Sequence, residues 1–247
     1  LPPIFEVREA LDEGAPVIHD EEEATVVIPI EFNPKRNLAS AVETEVGDAG
    51  KALEAASKTV KSEFETHYAQ HCPIEPHVCL THLDERGRLV IRTSTQVPFH
   101  ARRIVAQALD IPVKQIRVIK PRIGGGFGTK QEVLLEQLCA ALTLATKRPV
   151  LYELTRAQEF LSRTRHPQVI RVAIGADDSG KIEAIDLDVL MNSGAYGSHA
   201  LTVACNSGSK VLPLYPCDDV RFRARTAYTN MPVGGAYRGY GATQAAY

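Results

Sequence analysis

The run GGGFG at residues 124–128 constrains the fold of this chain more than any other feature of its sequence. It follows a predicted strand at 116–120 and precedes a predicted helix, whose apolar stripe runs over 134–145. Glycines carry no Cβ, so they leave backbone N–H groups open and allow a ligand to come close to the main chain. At the start of a helix such a loop also lies near the positive end of the helix dipole, which favours an anionic or oxo ligand.

The same glycines are equally consistent with a tight turn that packs closely against the protein. Phe127 shifts the balance towards a pocket, because a large aromatic ring inside a glycine loop has little local role unless it lines a cavity. The loop is neither of the common nucleotide-binding motifs. The pattern G-x-x-x-x-G-K-[ST] is absent, and Thr129 stands where G-x-G-x-x-G requires its last glycine.

Hydrophobic periodicity predicts interleaved helices and hairpins around this loop. Such interleaving indicates the α+β class, with a mixed or antiparallel sheet and packed helices, rather than a doubly wound parallel sheet. The stripe on the central helix consists of Leu134, Leu138, Ala141, Leu142 and Ala145. The predicted helices are 49–57, a segment starting at Pro98, 134–145, 155–162 and a start near the C-terminus, and the predicted strands are 59–66, 78–83, 89–93, 116–120, 149–154, 169–175, 181–192 and 220–228.

Residues 1–37 differ from the rest, since they are rich in proline and carry an acidic run at 20–23. Proline and the residue before it favour extended chain running over the surface rather than helix. A solvated charge run is a commoner meaning of the acidic residues than a cation site. We therefore expect a linker or interdomain arm at 1–37 and a domain at 38–247.

Composition narrows the class of protein further. With 44% hydrophobic and 23% charged residues the make-up is globular, and a formal net charge of -2 provides no bulk basic field for nucleic acid or anionic lipid. No stretch approaches the ~20 apolar residues of a membrane-spanning helix. Five cysteines without a C-x-x-C pair argue against disulfide frameworks and zinc ribbons and suit a reducing compartment. We expect a cytoplasmic protein that binds neither nucleic acid nor membrane.

A second glycine-rich segment, GGAYRGYG at residues 234–241, also leads into a predicted helix. Its glycines allow the guanidinium of Arg238, or the backbone beside it, to reach a cavity, and Tyr237 and Tyr240 offer ring faces for stacking. Alone, such a segment is more often a surface turn with a solvated arginine. Two glycine loops that both carry aromatic residues favour a shared pocket.

The segment QHCPIEPH at residues 70–77 contains two histidines and a cysteine, which suggests a metal site. No second cluster completes a tetrahedral ligand set, so a hydrogen-bonded turn in which His71 and Glu75 are satisfied internally is favoured. The Gln70 amide could still donate to a ligand oxygen. His166, which precedes a predicted strand, is expected to be structural.

Five ordered segments resemble the molybdenum hydroxylases, the family of xanthine dehydrogenase and aldehyde oxidase. They are residues 70–76, 94–96, 124–130, 165–167 and 236–241. The glycine loop alone would be a weak signal, but the combination in this order and spacing is specific. The resemblance implies that 38–247 is the first half of a molybdopterin-binding domain, truncated at its C-terminus. It also implies that 1–37 comprises a linker and the tail of a preceding α/β hammerhead domain.

The resemblance further implies which residues bind the cofactor. They are Gln70, Gly125, Gly126, Phe127, Gly128 and Arg238. Among them Gln70, Phe127 and Arg238 come near the molybdenum without being direct side-chain ligands. Either Gln70 or its neighbour Ala69 falls where the family places a glutamine beside the oxo group of the metal.

Two differences from the family pattern concern the substrate. Gln131 stands where xanthine-oxidising relatives place a substrate-binding glutamate, and Asn206 lies near a position that is arginine in them. An amide donates and accepts hydrogen bonds but cannot be an anionic partner, which weakens the case for xanthine itself. Tyr240 matches an aromatic residue that stacks on the heterocyclic substrate.

The implied activity is hydroxylation of a purine-like N-heterocycle with water as the oxygen donor. The molybdenum–molybdopterin cofactor, with the cytosine dinucleotide form as one candidate, would pass electrons to iron–sulfur clusters and FAD on other domains or subunits. An aldehyde oxidase-type hydroxylase and a non-catalytic ligand-binding or assembly module are the alternatives. The family's catalytic glutamate falls beyond Tyr247, so this chain alone is expected to need the remainder of the large subunit for activity.

Overall fold

The computed structural model describes residues 2–21 and 30–247. Within them the chain forms two compact units. Unit 1 comprises the described residues of Leu1–Ala69 together with Arg165–Gly235 and Gly239–Tyr247, and unit 2 comprises Gln70–Thr164 and Ala236–Arg238. The short stretch Ala236–Arg238 therefore belongs to unit 2, although the chain on either side of it belongs to unit 1.

Helices and strands alternate along the chain as the periodicity predicts. The helices are α1 Val7–Ala10, α2 Ala49–Ala55, α3 Pro98–Ala108, α4 Glu136–Thr146, α5 Arg156–Ser162, α6 Ala200–Ser209 and α7 Ala242–Ala245. The strands are β1 Glu31–Asn33, β2 Leu38–Val46, β3 Lys58–Glu65, β4 Val78–Leu83, β5 Leu89–Thr93, β6 Ile116–Ile119, β7 Val150–Glu153, β8 Thr164–Arg165, β9 Gln168–Ala176, β10 Ile182–Gly194, β11 Asp219–Tyr228 and β12 Gly234–Gly235. Among the described residues, no helix combines the length and hydropathy needed to cross a membrane.

Unit 1 is built on a mixed sheet in the order β1-β2-β11-β10-β9-β3. β10 and β11 run parallel, and the other neighbouring pairs run antiparallel. A parallel pair needs a crossover connection, and α6 lies in the one between β10 and β11. Val203 and Ala204 of α6 are buried in one cluster with Leu187 and Val189 of β10. The mixed sheet with packed helices confirms the predicted α+β class.

Unit 2 is built on a second sheet, in the order β6-β5-β4-β7, against which α3 and α4 pack. The predicted hairpin between β4 and β5 is confirmed. Its Gly87 has a φ of +73°, and Asp84 Oδ1 accepts hydrogen bonds from the amides of Arg86 and Arg88. The core of the unit consists of Cys79, Leu89, Ile91, Val105, Ala106, Ile116, Leu135, Cys139, Ala140 and Leu154.

The N-terminal segment is less extended than the prolines predict. Ile4, Val7 and Ala10 are buried around α1, in a cluster with Leu190 of β10. The prediction of surface-running chain is wrong here, because apolar residues spaced by three fall on one face of a helical turn and bury together. Part of the predicted acidic run, residues 22 and 23, lies outside the described residues. The domain boundary at residue 37 stays a prediction.

The buried face of α4 differs from the predicted stripe. Leu138 and Leu142 are 48% and 45% exposed, whereas Cys139 and Thr143 are fully buried. The small side chains let the helix lie close to β4, where the Thr81 hydroxyl donates to the Cys139 carbonyl oxygen at 2.9 Å. Close approach of the helix to the sheet therefore decides the orientation, and the larger leucines face outwards.

Candidate functional site

The glycine loop at residues 124–128 has a backbone that few residues other than glycine adopt. Its φ is +98° at Gly125, +53° at Phe127 and +111° at Gly128. A Cβ at Gly128 would lie 2.2 Å from the carbonyl oxygen of Ala236, so the two segments pass each other backbone to backbone. The glycines therefore serve both a positive-φ turn and a close approach of two chain segments.

This loop also offers unpaired hydrogen-bond donors. Within the described part of unit 2, the amide N–H groups of Gly125, Gly126 and Phe127 donate to no protein acceptor. The Gly128 amide, in contrast, donates to Oε1 of Gln96 at 3.0 Å. The Phe127 ring beside these amides is 41% exposed. Adjacent backbone donors next to an accessible ring fit a ligand with acceptor atoms and a flat face.

The helix-dipole contribution predicted for this loop is wrong. The loop is followed by the 3-10 turn Thr129–Gln131, and α4 begins only at Glu136. The amides of Leu134 and Leu135 donate to Oε2 of Glu136 at 3.0 and 3.1 Å. The positive end of α4 is thus compensated by its own first-turn carboxylate and does not act on the glycine loop.

Arg238 joins the glycine loop through its backbone and its side chain. Its amide donates to the Phe127 carbonyl oxygen at 3.0 Å. Its guanidinium carbon lies 4.8 Å from the centre of the Phe127 ring, within the range of a cation–π contact. The two predicted glycine-rich segments therefore meet within unit 2, where the positive charge of Arg238 lies over the Phe127 ring.

Gln70 uses its side chain within the protein. Its Nε2 donates to the Glu159 carbonyl oxygen at 3.1 Å, and its Oε1 accepts from the Cys72 amide. Gln96 is placed differently: its Oε1 holds the Gly128 amide, and its Nε2 has no acceptor within the described part of unit 2. Sequence reasoning assigned no role to Gln96, although it lies in the Ser-Thr-Gln segment that contributes to the family resemblance.

His71 and Glu75 of the segment 70–77 are hydrogen-bonded within the protein, as predicted, but their partners lie outside the segment. The Nε2 of His71 contacts the Ala236 carbonyl oxygen at 2.7 Å, and the ring lies 4.3 Å from the Tyr237 ring, centre to centre. A carbonyl oxygen can only accept, so His71 carries its proton on Nε2. Burial lowers the pKa of His71 to about 4, against the raising effect of the Ala236 contact. His71 is therefore neutral at physiological pH.

A buried pair supports the residue that follows the loop. Nδ1 of His77 lies 2.8 Å from Oε1 of Glu159, and Nε2 of His77 lies 3.2 Å from the Thr129 carbonyl oxygen. Burial acts to raise the pKa of Glu159, but the hydrogen bonds from the His77 ring and amide outweigh it and lower that pKa. Glu159 is therefore an ionised carboxylate with no exposed surface, linked through one imidazole to the end of the glycine loop.

The residues predicted to contact substrate divide between the two units. Gln131 lies in unit 2, where its backbone amide donates to the Gly128 carbonyl oxygen at 3.0 Å. Asn206 of α6 and Tyr240 belong to unit 1. Tyr240 has a φ of +42°, and its ring centre lies 6.1 Å from that of His199. The structure therefore associates Gln131 directly with the glycine loop and attaches the other two residues to the α6 side of unit 1.

His166 of unit 1 is structural, as predicted. It is fully buried, and its Nδ1 lies 3.0 Å from the Asn192 carbonyl oxygen. A Cβ on Gly234 would lie 2.1 Å from that nitrogen, so the imidazole packs directly on the backbone. Gln244 of α7 donates to the His166 carbonyl oxygen at 3.2 Å. These contacts tie the C-terminal turn of unit 1 to its sheet.

Comparisons with known proteins identify the family of this chain. The sequence profile of the molybdopterin cofactor-binding domain matches residues 31–247. The chain is 41% identical over 266 residues to the probable hypoxanthine oxidase XdhD of Escherichia coli O157:H7, covering 98% of this chain and 28% of that protein. It is 39% identical over 237 residues to the xanthine dehydrogenase molybdenum-binding subunit of the same organism, covering 95% and 32%.

A solved structure shares the fold. The aldehyde oxidoreductase of Desulfovibrio gigas superposes with a TM-score of 0.86 at 24% identity, covering 99% of this chain and 26% of that chain. The present chain thus spans less than a third of the length of each of these three proteins.

Proposed function

The chain belongs to the molybdopterin cofactor-binding domain family, and from this membership we propose that it holds one side of the molybdenum cofactor in a hydroxylase of the xanthine dehydrogenase and aldehyde oxidase type. The observation that carries the proposal is the glycine loop at 124–128, with its unpaired amides beside the Phe127 ring and the Arg238 guanidinium. When bound, the cofactor supplies the oxygen-transfer and electron-accepting chemistry, with water as the oxygen source.

The donor set fits such a cofactor chemically. The amides of 125–127, the Nε2 of Gln96 and the guanidinium of Arg238 can all donate and carry no negative charge. An oxo group, a sulfur or a phosphate oxygen can only accept, so this set would bind and orient the cofactor at its acceptor atoms. The exposed face of Phe127 would exclude water from one side of the site.

We further propose that Gln96, rather than Gln70, presents an amide to the metal's oxo group. The side chain of Gln70 is engaged at both of its polar atoms by Glu159 and Cys72. The side chain of Gln96 is fixed at Oε1 by the Gly128 amide, which orients Nε2 without consuming it. An anchored amide with an open donor is preorganised to bind an oxygen.

A purine-like N-heterocycle is the substrate class we propose. The side-chain amide of Gln131 can both donate to and accept from ring heteroatoms. Gln131 lies three residues after Gly128, the last residue of the glycine loop, and its backbone is hydrogen-bonded to that residue. The names of two relatives, a probable hypoxanthine oxidase and a xanthine dehydrogenase subunit, point to the same class. The family resemblance also makes Asn206 and Tyr240 of unit 1 candidates for a hydrogen bond to the substrate and for a stacking face. An aldehyde is the competing substrate, because another relative, 31% identical over 206 residues, is named aldehyde oxidase 2.

The proposed electron path leads away from this chain. Iron–sulfur clusters and FAD on other domains or subunits would take the electrons, and the cytosine dinucleotide form of molybdopterin is the cofactor variant we propose. The iron–sulfur and FAD partners are what the resemblance of the residues at 70–76, 94–96 and 124–130 to the molybdenum hydroxylases implies, and the cytosine dinucleotide form is one candidate within that family.

The test is to purify the full-length protein from its native host and measure molybdenum by elemental mass spectrometry and pterin by fluorescence after oxidation. Stoichiometric metal and pterin, followed by turnover of hypoxanthine or a related purine ahead of aldehydes, is the expected result. Folded protein without either component would support a ligand-binding or assembly module instead. Preferential turnover of aldehydes would overturn the purine assignment alone.

A further inference from the structure

We propose that the buried Lys130 and the partly exposed Glu75 form a positioning pair, which touches no ligand itself but fixes both ends of the glycine loop in the conformation that receives the cofactor. The inference rests on the function proposed above. It is carried by a single carboxylate oxygen that joins three separate segments of unit 2.

The first contact is an ion pair between a buried lysine and a glutamate whose side chain is 31% exposed. Lys130 has no exposed surface, and its Nζ donates to Oε2 of Glu75 at 2.7 Å and to the Glu75 carbonyl oxygen at 2.8 Å. A lysine ammonium is rarely buried unless it is paired, because the loss of hydration is expensive. Within the described residues of unit 2, both of its acceptors come from Glu75. The position of the Lys130 ammonium group is thus determined by Glu75, one residue of the 70–77 segment.

The same oxygen holds the other end of the loop. Oε2 of Glu75 also accepts from the Gly124 amide at 2.8 Å and from the Ser94 hydroxyl at 2.5 Å. The backbone is linked in the reverse direction, since the Glu75 amide donates to the Gly124 carbonyl oxygen at 3.1 Å. Gly124 at the start of the loop and Lys130 just beyond its end therefore donate to the same carboxylate oxygen, which accepts a third hydrogen bond from the Ser94 hydroxyl.

Burial acts to raise the pKa of Glu75, but the hydrogen bonds from Lys130, Ser94 and Gly124 outweigh it and lower that pKa. Glu75 is consequently charged across the physiological range. A charged acceptor makes stronger hydrogen bonds than a neutral one, so the link between the two loop ends is strongest in the ionised state.

The residues between these two anchors are the ones that face the cofactor. Phe127 adopts a left-handed conformation that a non-glycine residue occupies only when its surroundings impose it. The amides of 125–127 make no bond within unit 2 that could hold them in place. Two carbonyl oxygens between the anchors accept hydrogen bonds, that of Gly126 from the Thr129 amide and that of Phe127 from the Arg238 amide, both at 3.0 Å. The orientation of the loop amides therefore depends on these bonds together with the anchors at the two ends. The geometry assigns Lys130 and Glu75 to positioning, and the loop amides, Gln96 and Arg238 to contact.

Three variants of the full-length protein test this inference: Glu75→Gln, Lys130→Met and the double variant. Glu75→Gln leaves the buried Lys130 ammonium without its charged partner, and Lys130→Met removes the cation that pairs with Glu75, so each single change is expected to lower the melting temperature. The double variant removes both charges together, so its melting temperature is expected to recover towards that of the wild type. Glu63→Gln is the matched control, because Glu63 pairs with Arg171 at 2.6 Å on an exposed surface.

Hydrogen exchange on cofactor-free protein, made in a host unable to synthesise molybdopterin, is the decisive measurement. We expect the hydrogen-bonded amides within 124–131, those of Gly124, Gly128, Thr129 and Gln131, to exchange roughly tenfold faster in all three variants, as for loss of hydrogen bonds to a charged group. Molybdenum content per folded chain, measured on protein from a cofactor-producing host, is expected to fall in the same three variants, including the double variant with recovered stability. The Glu63→Gln protein should match the wild type in both measurements.

Wild-type exchange over 124–131 in the double variant would overturn the inference, as would wild-type molybdenum content in that protein. Failure of the proposed function looks different. In that case the wild type itself would contain no molybdenum or pterin, whereas faster loop exchange in the variants would still support the role of Glu75 and Lys130 in fixing the loop.

Discussion

The carbonyl oxygen of Ala236 occupies the space next to Gly128 in which any side chain would begin, at 2.2 Å from an ideal Cβ position. The contact brings together two segments that lie far apart in the sequence. It also leaves the Ala236 oxygen within 2.7 Å of Nε2 of His71, so a third segment converges on the same atom. The backbone around Ala236 is therefore a junction on which the conformation of the glycine loop depends.

Gly128→Ala is predicted to destabilise unit 2 by at least about 3 kcal/mol, because it adds a backbone clash to an unfavourable positive φ. Gly87→Ala is the matched control. Gly87 also has a positive φ, but nothing lies within 4 Å of its ideal Cβ, so about 1 kcal/mol of conformational strain is expected alone. Urea unfolding of both variants measures the difference. Equal losses in the two proteins would show that the contact with Ala236 contributes nothing.

Arg238→Met is predicted to leave the fold nearly unchanged while reducing cofactor content. The cation–π contact with Phe127 at an accessible site is worth only about 0.5–1 kcal/mol, and the Arg238 amide that bonds to Phe127 belongs to the backbone. Loss of the guanidinium removes a donor that we propose for the cofactor. Molybdenum per chain and the melting temperature should be measured together, with Arg86→Met as a control that removes an exposed guanidinium at the turn between β4 and β5 of unit 2. Unaltered molybdenum content in the Arg238 variant would remove that residue from the proposed site.

His71→Gln is predicted to make the free energy of unfolding less dependent on pH between about 4 and 6.5. The pKa of His71 is about 4 in the folded protein and about 6.5 in an unfolded chain, so only the unfolded state takes up the proton between these values. The resulting stabilisation is fully present above pH 6.5 and is lost as the pH falls to about 4, with a total on the order of 3 kcal/mol.

Gln retains an amide donor for the Ala236 carbonyl oxygen but has no proton to gain. Urea unfolding of wild type and variant at pH 7, 5.5 and 4.5 should give a stability difference that shrinks as the pH falls. A difference that stays constant over this range would contradict a buried neutral His71.

Glu159→Ala is predicted to destabilise the protein by about 3–5 kcal/mol, since it removes one partner of a buried, hydrogen-bonded pair. The loss should be accompanied by faster hydrogen exchange around Thr129, whose carbonyl oxygen depends on the His77 ring. Glu63→Ala removes an exposed carboxylate and should leave the urea midpoint within error of the wild type. Similar midpoints for the two variants would mean that the buried pair adds no more than a surface one.

The parts of the fold set by local chemistry could be predicted from the sequence. The strands at 78–83 and 89–93, which are joined by a turn at Gly87, and the helix at 155–162 depend on neighbouring residues, and the structure confirms them. The helix begins with a capping box of Thr155 and Gln158. The orientation of α4 depends on how closely the helix can approach β4, so a pattern of leucines pointed to the wrong face. α6, with Asn206, Ser207 and Gly208 near its C-terminal end, has weak intrinsic propensity and forms against the sheet of unit 1, which its sequence alone does not show.

The candidate site was predictable in part for the same reason. Gly125, Phe127 and Arg238 were recognisable because glycine loops with aromatic residues are locally unusual, and the structure brings these loops together. The choice between Gln70 and Gln96 depends on which amide is already bonded, which is a property of tertiary contacts. The division of Gln131 and Tyr240 between two units is likewise invisible in a linear sequence.

The return of Ala236–Arg238 to unit 2 gives the glycine loop a very high contact order. The hydrogen bond between His71 and Ala236 spans 165 residues, and most of that interval builds the rest of unit 2 and a large part of unit 1. During translation, Arg238 is synthesised about 110 residues after Gly128, which corresponds to a delay of roughly 5–20 s at ordinary elongation rates. For that time a nascent chain carries an unfinished pocket, open on the side that Ala236–Arg238 will close.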